Sequence, residues 1–148
     1  MKCILQRVSS ASVAVVGQPI GQIKAGFVAL VGVAAGDTMA DVNWLVKKIT
    51  ECRVFNNAEG KFDQSLLDVK GDILVVSQFT LLADCKKGRR PNFTAAAAPD
   101  VAAGLVADLV DGLKNTAIGH VATGQFGANM QVHLVNDGPV TIPLDSRS

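Results

Sequence analysis

The clearest candidate for chemistry is a polar segment that closes an apolar run, Ser77-Gln78-Phe79-Thr80-Leu81. The run from 73 to 80 predicts a strand, and polar groups at a strand end must find partners or solvent. In extended geometry Ser77 and Phe79 share one face while Gln78 and Thr80 share the other, so the two hydroxyl groups do not converge. Taken alone, the segment is more typical of hydroxyls that bond to nearby backbone than of a catalytic dyad.

No residue pattern supplies the base that a hydroxyl nucleophile needs. The two histidines, His120 and His133, alternate with apolar residues inside predicted strands and stand at no triad spacing. Each is more typical of a strand histidine than of a catalytic one. The three cysteines show neither CxxC nor Cys/His spacing, which argues against a disulfide framework and a metal site. We expect no metal, no cofactor and a reducing, cytoplasmic setting.

A second candidate is the turn signal Asn136-Asp137-Gly138-Pro139 near the end of the sequence. Gly138 has no side chain and Pro139 has no backbone N–H, which leaves carbonyl groups as the main functional atoms. Such a segment could contact a ligand through its main chain. An ordinary hairpin turn is the commoner use of these residue types.

A cationic segment lies between these two candidates, and its members are Lys86, Lys87, Arg89 and Arg90. It could neutralise phosphates as an RNA backbone contact does, or it could be a solvated loop. Phe93 is a possible stacking partner nearby, but an aromatic content of 5% is low for a protein that reads single-stranded bases. We therefore expect no sequence-specific base reading.

The elements that must position these segments follow from the hydrophobic periodicity. A helix is predicted from about 39 to 52, with Thr38 as its cap, and a second from 99 to about 115. Residues 2–8, 11–16 and 20–24 predict an antiparallel meander. The apolar run at 27–33 predicts a central strand buried on both faces. Further strands are predicted at 53–55, 73–80, 119–123, 130–136 and 141–144, the last at an edge because of Pro143.

Length and composition place these elements in one domain spanning 1–148. With 49% hydrophobic and 18% charged residues the chain is typical of a globular protein. Grouped strands and few helices predict an α+β fold, an antiparallel, barrel-like rolled sheet flanked by two helices. A formal net charge of +1 offers no global attraction to nucleic acid, and no apolar stretch is typical of a signal peptide or a membrane span. No membrane or DNA partner is expected.

Five segments resemble the D-aminoacyl-tRNA deacylase (D-tyrosyl-tRNA(Tyr) deacylase) family along nearly the whole chain. They are Met1-Lys2 with Gln6-Arg7-Val8, Ser77-Gln78-Phe79-Thr80-Leu81, Lys87-Gly88-Arg89-Arg90-Pro91, Thr123-Gly124-Gln125-Phe126-Gly127-Ala128, and Val135-Asn136-Asp137-Gly138-Pro139-Val140-Thr141. The resemblance implies a homodimer whose active sites lie at the subunit interface. In it, a cis Gly138-Pro139 peptide of one subunit enters the other subunit's pocket beside the segment 77–80. Phe126 and Met130 correspond to positions around the adenosine end of the substrate, and Arg7 to one that supports the interface.

The activity implied by this resemblance is hydrolysis of the ester of D-aminoacyl-tRNA. A rigid main-chain wall would reject L-aminoacyl esters sterically, and glycyl-tRNA(Ala) would also be cleaved because glycine has no side chain to exclude. A water or a tRNA hydroxyl would attack, with backbone amides near Phe79 and Thr80 stabilising the oxyanion. Two alternatives stay open: a non-catalytic module that binds the tRNA acceptor end, and a conventional esterase with Thr80 or Ser77 as nucleophile.

Overall fold

The computed structural model describes all of residues 1–148. It contains eight strands, three α-helices and one 3-10 helix. In chain order these are β1 (Lys2–Val15), β2 (Gln18–Ile23), β3 (Gly26–Gly32), α1 (Met39–Glu51), β4 (Phe55–Asn56), β5 (Phe62–Gln64), α2 (Leu66–Val69), β6 (Asp72–Ser77), the 3-10 helix (Phe79–Leu82), α3 (Pro99–Lys114), β7 (Val121–Thr123) and β8 (Met130–Asp145).

The main sheet has six strands in the order β2-β1-β3-β6-β7, with β8 on the other edge of β1. The first half of β1 pairs with β3 and its second half with β2, while β8 follows β1 along its whole length. A Cβ added to Gly21 of β2 would lie 2.8 Å from the carbonyl oxygen of Thr123 in β7. Since β2 and β7 are the two ends of the strand order, this close approach rolls the sheet into a nearly closed barrel, which confirms the predicted α+β fold.

Three details of the predicted sheet are wrong. The pairings β3 with β6 and β6 with β7 are parallel, so the sheet is mixed and not wholly antiparallel. The expected meander is only partly present: residues 11–15 pair antiparallel with β2 as predicted, but residues 2–8 and 11–15 form one bent strand whose register shifts around Val8. The predicted turn at 136–139 also lies inside a single strand, β8. In both cases the chain bulges and continues, where the sequence pattern had suggested a reversal.

The helices begin where local capping favours them. Thr38 and Asp41 form a capping box at α1, whose buried residues are Val42, Leu45, Ile49 and Thr50. Pro99 opens α3, so both predicted helices are confirmed to within one residue. The sequence interpretation missed α2, because a four-residue helix is too short for a periodic pattern. None of the helices is both long and apolar enough to cross a bilayer.

Two hydrophobic clusters lie on opposite faces of the sheet, and β3 contributes to both. Phe27, Ala29 and Val31 join the cluster that packs against α1 and α3. Val28 joins the cluster made of strand residues inside the barrel. This alternation confirms β3 as a central strand buried on both faces. The neighbouring strand β6 divides in the same way, with Ile73 and Val75 on one side and Leu74 and Val76 on the other. Its end is therefore rigidly placed.

Candidate functional site

The segment 77–80 does not continue the strand as predicted. β6 ends at Ser77, the backbone of Gln78 turns away with φ −145° and ψ 77°, and the 3-10 helix begins at Phe79. The last ladder contact is the N–H of Gln78, which donates to the carbonyl of Val31 at 2.7 Å. The extended geometry from which the two faces were predicted therefore ends at Ser77. Gln78 and Thr80, which were expected on one face, do meet, since Gln78 Nε2 donates to Thr80 Oγ1 at 2.5 Å.

A cavity of about 500 Å³ opens beside this turn. It brings three members of the segment, Ser77, Gln78 and Phe79, together with the distant Phe126 and Met130. The remaining lining residues are Val76, Ala96, Ala97, Pro99, Ala102, Gly127 and Ala128. Thr80 is exposed next to the cavity and does not line it. Not one lining residue carries an ionisable side chain.

Small residues create this cavity, and sequence reasoning did not select most of them. The N–H of Ala97 donates to the carbonyl of Val33 at 3.0 Å, and that of Ala35 to the carbonyl of Ala95 at 2.9 Å. These bonds hold the segment before α3 along the end of β3. The opposite wall follows β7, where the N–H of Gly124 donates to the carbonyl of Val75 at 3.0 Å. The only sequence signal was the run of four alanines at 95–98, which lacks the periodicity on which we relied.

A second, smaller cavity of about 250 Å³ adjoins the first and shares Ser77 and Phe126 with it. It lies between α3 and the ends of β6 and β7, and Asp111 and Lys114 contribute charged side chains to its lining. Neither of these forms an ion pair. Sequence reasoning did not identify this second cavity.

The surroundings of Thr80 contain no general base. Its one side-chain hydrogen bond comes from the Gln78 amide, and an amide does not accept a proton from a hydroxyl group at neutral pH. Neither histidine lies in the cavity: the backbone N–H of His120 donates to Asp72 Oδ1 at 2.8 Å, and His133 pairs with Ser12 in the sheet. The geometry is therefore suited to holding and orienting a substrate, with hydrogen-bond donors as its chemical groups.

The Gly138-Pro139 peptide is cis and lies in a bulge of β8. Gln6 pairs with Thr141 and Val8 with Asn136, so the four residues from 137 to 140 stand opposite the single residue Arg7. Gly138 has φ +129°, a region that L side chains rarely adopt. Both Gly138 and Pro139 are exposed, and neither lines the cavity of its own chain. Within one chain the structure thus does not bring the two segments of the resemblance together.

Arg7 is the residue that holds this bulge in place. It is 5% exposed, and its Nε donates to the carbonyl of Asp137 at 3.0 Å. Its Nη1 donates to the carbonyl of Val54 at 2.6 Å. Every polar atom of a buried guanidinium needs such a partner, so the side chain ties the bulge to the chain that follows α1.

The cationic segment forms an exposed loop whose base contacts the site. Lys86, Lys87, Arg89 and Arg90 are all exposed and form no ion pairs. The loop is closed by two backbone bonds between Asp84 and Asn92, of 2.7 and 2.9 Å. Directly after it, Phe93 packs edge-on against Phe79 with ring centroids 5.1 Å apart. The loop with these four unpaired cations is thus followed directly by a residue that packs against the lining of the cavity.

The groups with displaced pKa values lie away from this cavity. Burial raises the pKa of the Cys3 thiol to about 12, and burial also raises that of Cys52. Hydrogen bonds from Ser146 and then from the Thr38 backbone lower the pKa of Asp41. These shifts arise in the core and in a helix cap, so they indicate structural roles.

Comparisons with known proteins match nearly the whole chain. The family model described as D-Tyr-tRNA(Tyr) deacylase matches residues 4–145. The D-aminoacyl-tRNA deacylase of Desulfitobacterium hafniense is 51% identical over 146 residues, which cover 99% of this chain and 97% of that protein. The protein of the same name from Chloroflexus aurantiacus is 55% identical over 146 residues, covering 99% and 91%.

Two solved structures share the fold. A c-Myc DNA unwinding element binding protein superposes with a TM-score of 0.92 at 41% identity, and the match covers 98% of each chain. A probable eukaryotic D-amino acid tRNA deacylase superposes with a TM-score of 0.81 at 20% identity, covering 97% of each chain. The second likeness shows the fold alone. The range matched by the family model includes both the segment 77–80 and the bulge at 137–140.

Proposed function

Because the chain belongs to the D-Tyr-tRNA(Tyr) deacylase family, we propose that it hydrolyses D-aminoacyl-tRNA and rejects L-aminoacyl esters through the main chain of Gly138 and Pro139. The observation that carries this proposal is the cavity beside Ser77, Gln78 and Phe79, which has no ionisable side chain. A site without a base to activate a hydroxyl group is suited to an ester that is already reactive, as an aminoacyl ester is. The products are the free D-amino acid and the tRNA.

The terminal adenosine of the tRNA is the part of the substrate that fits the cavity. A volume of about 500 Å³ is in the range of small-molecule sites, and most of the lining is apolar. Phe126 offers an aromatic face and Met130 a thioether for contact with the adenine base. Neither contact depends on a fixed hydrogen-bond geometry of the base. The aminoacyl ester, attached to the ribose, then extends toward Ser77 and Phe79.

The chemical step proceeds by attack of water on the ester carbonyl carbon, because attack by a tRNA hydroxyl would only move the aminoacyl group to another ribose oxygen. The carbonyl oxygen becomes an oxyanion, and the backbone N–H groups of Phe79 and Thr80 are suitable donors because the first N–H groups of a helix have no partner within it. Collapse of the tetrahedral intermediate breaks the bond to the ribose oxygen, which takes the proton that the attacking water gives up. Positioning and oxyanion stabilisation supply the acceleration.

The chirality filter comes from a second copy of the chain. Residues 137–139 of the bulge are exposed, and the bulge lies in β8, which pairs on one edge only. On the same strand Leu134 and Val135 are 39% and 57% exposed, and an unpaired edge with exposed apolar residues favours association. In a symmetric dimer each bulge would project its carbonyl groups into the partner's cavity. That wall leaves room for hydrogen at the α-carbon and excludes the side chain of an L-residue.

A filter built from main chain cannot reject glycine, because glycine presents hydrogen on both sides of its α-carbon. We therefore propose that glycyl-tRNA(Ala) is also cleaved. The loop bearing Lys86, Lys87, Arg89 and Arg90 would contact phosphates of the acceptor stem, because its four cations are exposed and unpaired and Phe93, directly after it, packs against Phe79 of the cavity.

The name of the 41% identical structure raises DNA as another ligand. The sequence predicts no DNA partner, since a net charge of only +1 offers no global attraction to a polyanion. Competition by duplex DNA in the tRNA-binding measurement tests that prediction directly.

The decisive experiment compares matched D-tyrosyl-tRNA, L-tyrosyl-tRNA and glycyl-tRNA(Ala) with the purified protein, following release of free amino acid. Loss of the D-ester and the glycyl ester, with the L-ester intact, is the expected result. Cleavage of both tyrosyl esters would remove the chirality filter from the proposal. Binding of tRNA without any turnover would instead support a non-catalytic acceptor-end module. The molar mass in solution, measured on the same sample, tests the dimer.

A further inference from the structure

The guanidinium of Arg7 is held from two sides, and only one of them is the bulge. Toward the bulge, Nε donates to the carbonyl of Asp137 at 3.0 Å and lies 3.6 Å from Asp137 Oδ2. A Cβ added to Gly138 would lie 3.3 Å from Nη2. The guanidinium therefore lies directly beside the Gly138 backbone and is hydrogen-bonded to the residue before it.

The other side is a small hairpin formed by β4 and β5, which has its own two-stranded sheet. Nη1 of Arg7 bonds to the carbonyl of Val54 at 2.6 Å and to Asn56 Oδ1 at 3.4 Å. The ring of Phe62 lies 5.6 Å from the guanidinium carbon, within the range of a cation–π contact. The hairpin thus supplies a hydrogen-bond fork and an aromatic face that together fix the plane of the guanidinium.

The hairpin is itself anchored to the core. Phe55 of β4 packs against the fully buried Phe27 of β3, with ring centroids 4.9 Å apart. At the other strand, Arg53 is paired with Asp63. A continuous series of contacts therefore runs from the core, through the hairpin and Arg7, to Gly138.

We propose that Phe62, assisted by Asn56, is a positioning residue for chiral discrimination. The inference rests on the proposed role of Gly138 and Pro139 as the wall that rejects L-esters. Phe62 lines no part of the cavity and touches no substrate in the proposed reaction. It acts through Arg7: the ring holds the guanidinium, the guanidinium holds the Asp137 carbonyl and the Gly138 backbone, and these set the reach of the wall.

Phe62→Leu tests this inference by removing the aromatic face while keeping an apolar side chain. We expect the ratio of kcat/KM for D-tyrosyl-tRNA to that for L-tyrosyl-tRNA to fall about threefold, the size of an exposed cation–π contact. The fall should come from faster L-ester cleavage. Asn56→Ala should lower the ratio less, because its bond is long. Phe62→Tyr keeps the ring and should retain the wild-type ratio.

The ratio of the two kcat/KM values distinguishes a positioning role from a loss of protein stability. Both substrates are measured on one sample, so a smaller folded fraction lowers both rate constants equally and leaves the ratio unchanged. Lys61→Ala alters the same hairpin without touching Arg7, and Trp44→Leu removes a cation–π contact with Lys48 on α1. Both controls should leave the ratio at its wild-type value.

The outcomes distinguish this inference from the function beneath it. If the wild-type protein shows no preference for the D-ester, the proposed filter fails and the inference falls with it. If the wild type prefers the D-ester but Phe62→Leu and Asn56→Ala both retain the full ratio, the filter stands and the role of the hairpin is refuted. A ratio that falls equally in Trp44→Leu would also refute it.

Discussion

Replacing Thr80 by alanine tests whether this hydroxyl is a nucleophile or a spectator. The hydroxyl is exposed, and its one side-chain hydrogen bond is accepted from Gln78 Nε2 at 2.5 Å. A hydrogen bond contributes about 0.5–1.5 kcal/mol net, and 1.4 kcal/mol corresponds to about tenfold in rate. Thr80→Ala should therefore lower kcat/KM for a D-aminoacyl-tRNA by no more than about tenfold. Loss of a true nucleophile would lower it on the order of 10⁶-fold.

The assay measures kcat/KM for hydrolysis of D-tyrosyl-tRNA by the wild type, Thr80→Ala and Thr80→Val. Intact-mass analysis of rapidly quenched samples then tests for a covalent acyl adduct on the protein. Thr80→Val keeps the branched shape, so a difference between the two variants isolates packing from hydrogen bonding. A loss greater than about 10³-fold in a variant with an unchanged Tm would refute the reasoning. So would an acyl adduct on the wild-type chain, since a water mechanism forms no covalent intermediate.

Three other expectations follow from the same geometry. Gly138→Ala should lower the free energy of unfolding, measured in denaturant, by about 2 kcal/mol. The reasons are that φ at Gly138 is +129° and that the new Cβ would lie 2.8 Å from Val140 Cγ2. Gly17→Ala is the control, because Gly17 also has a positive φ, +73°, but has open space around it. Exchanging the four cations at 86–90 for glutamine should raise KM for tRNA and flatten its salt dependence while kcat is retained, and an unaltered KM would contradict a phosphate contact. Cys3 should resist alkylation in the native protein because its thiol is buried. The free energy of unfolding, measured by denaturant titration at a series of pH values, should decline above pH 9.0. Above that pH the thiol of the unfolded chain ionises, while burial holds the pKa of the native thiol at about 12.

The parts of the fold that were predictable are those determined by neighbours in sequence. α1 is specified by its Thr38 cap and by an apolar face at i, i+3 and i+7, and the structure reproduces it. β3 reads as a buried strand because nearly all of its residues are apolar, whichever strands pair with it. Such signals depend only on residues close in sequence, so the predictions made from them agree with the structure.

The errors share a different cause, since each depends on pairing between distant segments. β1 and β8 form a continuous ladder from Lys2 with Asp145 to Val15 with Met130, and the register shift at Arg7 absorbs the four residues from 137 to 140. Local turn propensity at Gly138 and Pro139 suggested a reversal, but the long ladder on either side outweighs it. The same holds for the end of β6, where the last residue paired with β3 is Ser77, the last hydrogen bond to β3 comes from the N–H of Gln78, and the residues from Phe79 onward form a 3-10 helix.

The candidate site was hard to derive from residue types because many of its lining residues have little or no side chain. Ala96, Ala97, Ala102, Gly127 and Ala128 line the cavity by leaving space, and no pattern search for nucleophiles, bases or metal ligands detects small residues. For the proposed function, this composition has a physical reason. An aminoacyl ester needs little acceleration, so the demand on the protein is discrimination at one α-carbon. Rigid main chain discriminates there better than a flexible ionisable side chain, because its carbonyl groups cannot rotate away from the group that they exclude.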